Sequence, residues 1–349
     1  MVIVFAVPGD LATPTGGYAY DRRMIGELRA LGRRVDVLDL GEGFPWPCPE
    51  TKNVAGARLA ALPEGVTVVI DGLALGVLPE AAAALHRTRR LVAMVHHPLA
   101  VETGLSAAEA SALKQSERAA LSFAARIVTN SASTARLLLS DYAVPAGKIS
   151  IVHPGTDRVA IRPQEKPGGT IDLLAVGSIV PRKGYDLLVA ALARLAELPW
   201  RLVIAGDRER DLSTARALDA DIARLGLGGR VKLLGAVSPE QLSMHYASAD
   251  LFVLPSRFEG FGMAYTEAIA HGVPVVGTTA GAIPEAVPEG AGVLVPPDDV
   301  DALAAALRRL MERPAERERL AAGALAAAAT LATWPEAGRQ FAQALDGIA

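Results

Sequence analysis

Short apolar runs, many of them β-branched, alternate with longer amphipathic stretches along nearly the whole chain. Val2–Val7, Val35–Asp39, Val66–Ile70, Leu91–Val95, Arg126–Thr129 and Ile149–Val152 read as strands. Gly17–Leu31, Pro79–His86, Ala107–Ala124 and Ser133–Tyr142 lie between them with helical spacing. The pattern then restarts. Its second series of strands is Ile171–Val176, Arg201–Ala205, Val231–Leu234, Leu251–Leu254, Val273–Gly277 and Gly292–Val295. Gly184–Leu195, Leu212–Leu225, Pro239–Ser248, Tyr265–His271 and Val300–Glu312 supply the helices. Continuous rather than alternating apolar strands are those of parallel sheets covered on both faces. Two such series predict an α/β protein of two doubly wound, Rossmann-like parallel-sheet domains.

The seam falls in His153–Thr170, where Pro154, Gly155, Pro163, Pro167, Gly168 and Gly169 crowd together. The expected division is residues 1–157, 158–330 and a tail of 331–349. Leu320–Ala332 is almost all alanine and leucine and reads as a helix that Trp334-Pro335 breaks. Glu336–Leu345 reads as a final amphipathic helix with two placements open: on the second domain, or crossing back to the first.

Length agrees with two domains, and 51% apolar with 21% charged residues is an ordinary soluble composition. A net charge of −3 provides no broad field for nucleic acid. No apolar run approaches the roughly 20 residues of a membrane span. The start, Met1 to Gly9, lacks a basic region and reads as a strand, not a signal peptide. The one cysteine, Cys48, lies in a proline-rich loop and excludes an internal disulfide. Together these features predict a protein of a reducing, cytoplasmic compartment.

Candidate chemistry gathers at strand ends. After the Leu251–Leu254 strand, Phe258-Glu259-Gly260-Phe261-Gly262-Met263 leads into a helix holding Glu267, so two acids eight positions apart flank a glycine turn. Loops at the carboxyl ends of strands are where open α/β sheets bind ligands. Glycines admit close backbone approach, and a helix start offers N–H groups to an anion. Two carboxylates also invite a glycoside hydrolase reading, as acid and nucleophile. Binding of sugar and ribose hydroxyls suits a pair so close in sequence better.

Gly177-Ser178-Ile179-Val180-Pro181-Arg182-Lys183-Gly184 follows the first strand of the second series. Two cations at a helix start oppose the helix dipole, which favours a diphosphate partner over solvated charges. Thr13-Pro14-Thr15-Gly16-Gly17 precedes the first helix but is not a G-x-G-x-x-G fingerprint, and a plain β–α turn explains it equally. His96-His97 ends a strand; adjacent histidines point apart, and no Cys/His cluster accompanies them to hold a metal. Gly235-Ala236-Val237-Ser238 contains a helix cap at Ser238 and leaves room for a base beside Ala236 and Val237.

Taken together, these residues resemble the retaining glycosyltransferases of the E-x7-E type, family 4-like, whose GT-B fold sets two Rossmann-like domains face to face. The resemblance runs over nearly the whole chain and is strongest from Glu259 to Val276. Gly16-Gly17, His96, Pro181–Gly184 and Gly281–Glu285 support it. It implies transfer of a sugar from a nucleotide diphosphate sugar to an acceptor hydroxyl on a glycan or lipid. Glu267 would bond the ribose, and Glu259 would lie by the sugar hydroxyls. The Gly260, Phe261, Gly262 and Met263 backbone would meet sugar and phosphates. Lys183 and Arg182 would neutralise the leaving diphosphate, with Gly177 and Ser178 beside them. His96 would face the sugar, and Gly16 and Gly17 would leave room. No cofactor and no obligatory metal are implied.

Two departures stand out. Many members carry an arginine where this chain has Ser178, and His-Asp where it has His96-His97. Arg182 is the candidate replacement for the missing charge, and which histidine serves is open. An epimerase, a glycoside phosphorylase or hydrolase, and a non-catalytic nucleotide-sugar binder are the alternatives on this fold. Arginines 22, 23, 29, 33, 34, 87, 89 and 90 suggest a basic face for peripheral contact with the inner face of a membrane.

Overall fold

A computed structural model describes residues 2–159 and 169–348. Pro163, Pro167 and Gly168 of the expected seam lie outside the described residues. The chain forms two compact units, residues 1–155 with 332–349, and residues 156–331.

In the first unit, β1 (Val2–Val7), β2 (Arg34–Asp39), β3 (Thr67–Asp71), β4 (Arg90–Val95), β5 (Arg126–Thr129) and β6 (Ile149–Ile151) make one sheet. Its order is β2-β1-β3-β4-β5-β6, with every pairing parallel. The chain moves outward from β1 to β2, returns past β1 to β3, and continues the other way. The order therefore reverses between β1 and β3. β3 is buried along its whole length, and β1 and β4 after their first residue, as a helix-covered parallel sheet requires.

The second unit repeats the design with β7 (Ile171–Val176), β8 (Trp200–Ala205), β9 (Val231–Gly235), β10 (Leu251–Val253), β11 (Val275–Thr278) and β12 (Gly292–Val295). Its order, β12-β11-β10-β7-β8-β9, is again all parallel and reverses between β7 and β10. Ligands of such sheets bind at the reversal, because the two flanking loops diverge there and leave a crevice.

The last helix, Trp334–Asp346, belongs to the first unit and packs on the helix Gly16–Ala30. A Cβ at Gly338 would come 2.4 Å from the Cβ of Glu27, so only glycine allows this approach. Phe341, fully buried, stacks on Phe5 of β1 with ring centroids 5.9 Å apart. Trp334 and Pro335 start this helix, where interruption of a longer one was expected. Proline is tolerated in a first turn, and Thr333 with Glu336 closes a capping box there. The helix before it runs Pro314–Ala328, short of the expected Ala332. Arg158 donates to the carbonyls of Ala328, Ala329 and Leu331 and so satisfies its orphaned end. A helix at Pro49–Ala60, absent from the sequence reading, follows directly on Cys48, whose sulfur accepts from the Thr51 N–H as its cap.

Candidate functional site

The loops after β7 and β10 flank the reversal of the second sheet, and they carry most of the candidate residues. After β7 the chain turns at Gly177 and runs to a short 3-10 turn, Pro181–Lys183. The helix Tyr185–Ala193 starts from Gly184. After β10, Glu259 is held on the loop that ends at Gly262, where the helix Met263–Ala270 begins.

The two loops meet through charge. Lys183 Nζ donates to Glu259 Oε1 at 2.7 Å, and Arg182 Nη1 donates to Glu259 Oε2 at 3.0 Å. Arg182 also donates to the carbonyl of Phe258 at 2.8 Å, and Ser256 Oγ donates to Glu259 Oε1 at 2.7 Å. Glu259 is buried. Burial alone would raise its pKa; the Lys183 and Arg182 charges outweigh it and bring the carboxyl down to about 2. Lys183, Arg182 and Glu259 therefore form a fixed group with one net positive charge.

Gly177 is required by this arrangement. Its φ is +149°, and a Cβ there would lie 2.8 Å from Lys183 Cε, so the lysine stem lies against bare backbone. Tyr185 Oη donates to the Gly177 carbonyl at 2.7 Å and pins the turn. At Gly262, φ is +101° and a Cβ would strike the Tyr265 ring at 2.6 Å, so glycine is needed where the loop becomes helix.

Glu267 is one turn into that helix, near Lys183 but in a different environment. Its carboxylate accepts from Tyr246 Oη at 2.9 Å. Burial raises its pKa to about 7; the Tyr246 bond and the Lys183 charge lower it, and Asp157 raises it, by less. The two glutamates are thus pushed apart: Glu259 is held charged across the neutral range, and Glu267 titrates close to pH 7. Ala236 and Val237 follow β9, two strands from β7, and the Gly206 N–H donates to the Gly235 carbonyl at 2.9 Å across the intervening strand end.

In the first unit, His96 at the end of β4 lies beside two acids that the sequence reading passed over. Its Nε2 is 3.3 Å from Asp21 Oδ1 and 3.6 Å from Asp71 Oδ2. Asp71 ends β3, and Asp21 is one turn into the helix Gly16–Ala30. An acid closing a buried strand, as in Val69-Ile70-Asp71-Gly72, was the available signal for one of them. Gly17 backs the ring: a Cβ there would lie 3.1 Å from His96 Cδ2. His97 instead reaches Glu102 at 3.4 Å, so the two histidines separate as adjacent strand-end residues should. Among the described residues, Asp21, Asp71 and His96 are the one group of three metal-ligating types gathered closely.

The expected basic face is largely engaged in structure. Arg22 donates to the carbonyls of Leu11 and Thr13, Arg29 to Val35, and Arg89 to Ala60 and Leu62. Arg33 pairs with Asp346. No described helix is long and apolar enough to cross a membrane.

Comparison with known proteins agrees with this architecture. Residues 157–326 match the model of glycosyl transferases group 1, and residues 53–159 that of glycosyltransferase family 4. An MMP alpha-(1->4)-mannosyltransferase of Mycolicibacterium hassiacum is 32% identical over 314 residues, covering 85% of this chain and 74% of the relative. The chain belongs to the family 4-like glycosyltransferases. A D-inositol 3-phosphate glycosyltransferase of Nocardioides is 35% identical over 237 residues, 61% of this chain and 52% of that protein. This glycosyltransferase thus spans about half the length of that relative. Among solved structures, sucrose-phosphate synthase of Thermosynechococcus elongatus has a TM-score of 0.83 at 22% identity, covering 98% of both chains. Anabaena HepE in complex with UDP and glucose has a TM-score of 0.75 at 20% identity, covering 99% of both. These neighbours share the GT-B fold of two α/β units with this glycosyltransferase.

Proposed function

We propose that the protein moves a sugar from a nucleotide diphosphate sugar to an acceptor hydroxyl with retention of anomeric configuration. The Lys183–Glu259–Arg182 cluster at the reversal of the second sheet carries this reading. It is a preformed, partly buried site with net positive charge where a diphosphate can be received. The UDP complexes of HepE support a nucleotide donor, and the mannosyl- and inositol-phosphate relatives support a sugar or polyol acceptor.

In the reaction the bond from the anomeric carbon to the leaving phosphate oxygen breaks. A bond to the acceptor oxygen forms on the same face, and the acceptor proton passes to the leaving phosphate. The protein has little covalent work to do. Lys183 stabilises charge as it develops on the diphosphate, which is effective because its position is set before the reaction. Glu259 holds Lys183 and Arg182 and offers its carboxylate to sugar hydroxyls. Arg182, bound to both Glu259 and the Phe258 carbonyl, compensates for the serine at position 178 by orienting Glu259 as well as by adding charge. Glu267 accepts hydrogen bonds from the ribose, and the backbone from Gly260 to Met263 borders sugar and phosphates. No metal is needed in this scheme.

The test is nucleotide release from a panel of nucleotide sugars, with and without acceptor and with EDTA. Acceptor-dependent release that resists EDTA and is lost in Lys183→Ala is expected. Glycoside cleavage without any nucleotide sugar, or interconversion of the donor without acceptor, would favour the hydrolase or epimerase alternatives instead. The anomeric configuration of the product decides retention.

A further inference from the structure

The first sheet has its own reversal, between β1 and β3, and three side chains converge there from three elements. Asp21 comes from the helix after β1, Asp71 from the end of β3 and His96 from the end of the neighbouring β4. Asp21 is fully buried and Asp71 nearly so. Their carboxylates share one pocket, and both approach the same imidazole nitrogen, Nε2.

Two buried carboxylates side by side repel each other and have lost their water, so the pocket favours a shared proton, a positive charge beside it, or both. The nearby arginines are directed elsewhere. Arg22 donates to the Leu11 and Thr13 carbonyls, and the Arg23 guanidinium lies 4.9 Å from the ring centre of Trp334. Among the described residues, the His96 imidazole is the basic group placed within ion-pair distance of both carboxylates.

Its orientation is held from every side. Gly17 lies against one edge of the ring, and Tyr20 meets it edge-on with centroids 5.4 Å apart. Tyr20 is itself fixed by donating to the Val152 carbonyl at 3.0 Å and by packing on Trp334 of the last helix. Thr134 donates to the His96 carbonyl. Among the described residues, the titratable groups shown against the ring are Asp21 and Tyr20 from one helix and Asp71 from β3.

We propose that Asp21 and Asp71 are positioning residues that hold His96 as an imidazolium, with Nε2 committed to the two carboxylates. The histidine then serves as a fixed cation whose Nδ1–H can meet an oxygen, and not as a proton acceptor. Proton energetics agree. Burial alone would lower the His96 pKa, but the Asp21 and Asp71 carboxylates bring it up to about 10. Within the acid pair, burial pushes Asp21 up, so it is the member that first takes a proton. Burial would raise Asp71 too, but the His96 imidazole, Asp21 and the Leu73 N–H hold it low. One ionised carboxylate thus stays beside the ring across the neutral range.

The charge state of His96 stands independently of the activity; only its consequence for sugar transfer rests on the proposed function. The imidazole nitrogens of the full chain, labelled on histidine, are followed by NMR from pH 6 to 10. His96→Gln assigns the signal, and the five other histidines serve as references. The expected result is a His96 that keeps both protons well above pH 8, while Asp21→Asn/Asp71→Asn, which keeps the burial and loses both carboxylates, titrates below the ordinary ~6.5. A wild-type His96 that is neutral at pH 8, or a midpoint unmoved in the double variant, overturns the proposal. So does Mg2+ or Mn2+ alone displacing the Nε2 proton, because the cluster would then be a cation site. If the double variant does not fold, the wild-type titration and Asp21→Asn alone still decide. A separate pH profile of kcat/KM reads the consequence: the double variant gains an alkaline loss of activity near that lower midpoint. Absence of any donor turnover would refute the proposed function and leave the NMR result standing.

Discussion

Donor affinity should depend on pH through Glu267. The free carboxyl titrates at about 7 because it is buried. Hydrogen bonds from ribose hydroxyls favour the charged form and would return it toward its ordinary ~4.3. Binding then requires loss of a proton at acid pH and none at alkaline pH. Linkage between these two values makes the donor bind about tenfold more weakly at pH 6 than at pH 8, with roughly 0.9 proton released at pH 6. At pH 5.5 the loss grows to about 25-fold. Isothermal titration calorimetry with a nucleotide sugar tests this, since its diphosphate diester does not titrate in that range. Two buffers of different ionisation enthalpy give the proton count. Glu267→Gln should bind weakly but with a flat pH profile. Constant wild-type affinity from pH 5.5 to 8, or the same slope in Glu267→Gln, would refute the assignment of Glu267 to the ribose.

Glu259 behaves oppositely. Its folded pKa of about 2 lies below the usual carboxylate value, so its stabilising effect is present above that value and is lost as pH falls toward 2. Glu259→Gln leaves Lys183 and Arg182 facing a neutral group and should destabilise the second unit by ~3–5 kcal/mol in urea denaturation at pH 7. Lys183→Ala should lower kcat by ~10²–10³ with a smaller change in donor affinity, measured by steady-state kinetics and calorimetry. Gly177→Ala forces a Cβ into the Lys183 stem and strains a positive φ; ~1–3 kcal/mol of stability is lost, and kcat falls with it. Adding it to Lys183→Ala should lower kcat little further, because both act through the same ammonium. Phe341→Ala empties a buried contact on Phe5 and should cost ~3–5 kcal/mol in the unfolding of the first unit alone.

The alternation of apolar runs and helical stretches was enough to place the α/β class, twelve parallel strands and two units, because strands covered on both faces leave a signal in every residue. The glycine turn between Glu259 and Glu267, and Arg182-Lys183 at a helix start, were legible for a related reason. Steric and dipole rules act over a few neighbouring residues. Helix Pro49–Ala60 was not legible, since its alanines, glycine and mixed polar residues make no apolar stripe. The role of Trp334-Pro335 as a helix start was missed because proline marks either boundary equally.

Relations between distant residues were decided by the tertiary structure. Nothing local says that Arg182 and Lys183 share Glu259 across more than seventy positions, or that this pairing drives Glu259 down while burial drives Glu267 up. Both are glutamates in one motif; their charge states diverge because only one has cations within hydrogen-bond reach. The same holds for His96. Its sequence neighbours point to a strand end, whereas Asp21 and Asp71 reach it only because the sheet reverses between β1 and β3. Local sequence sets which groups are available, and burial with through-space charge sets which of them stay ionised.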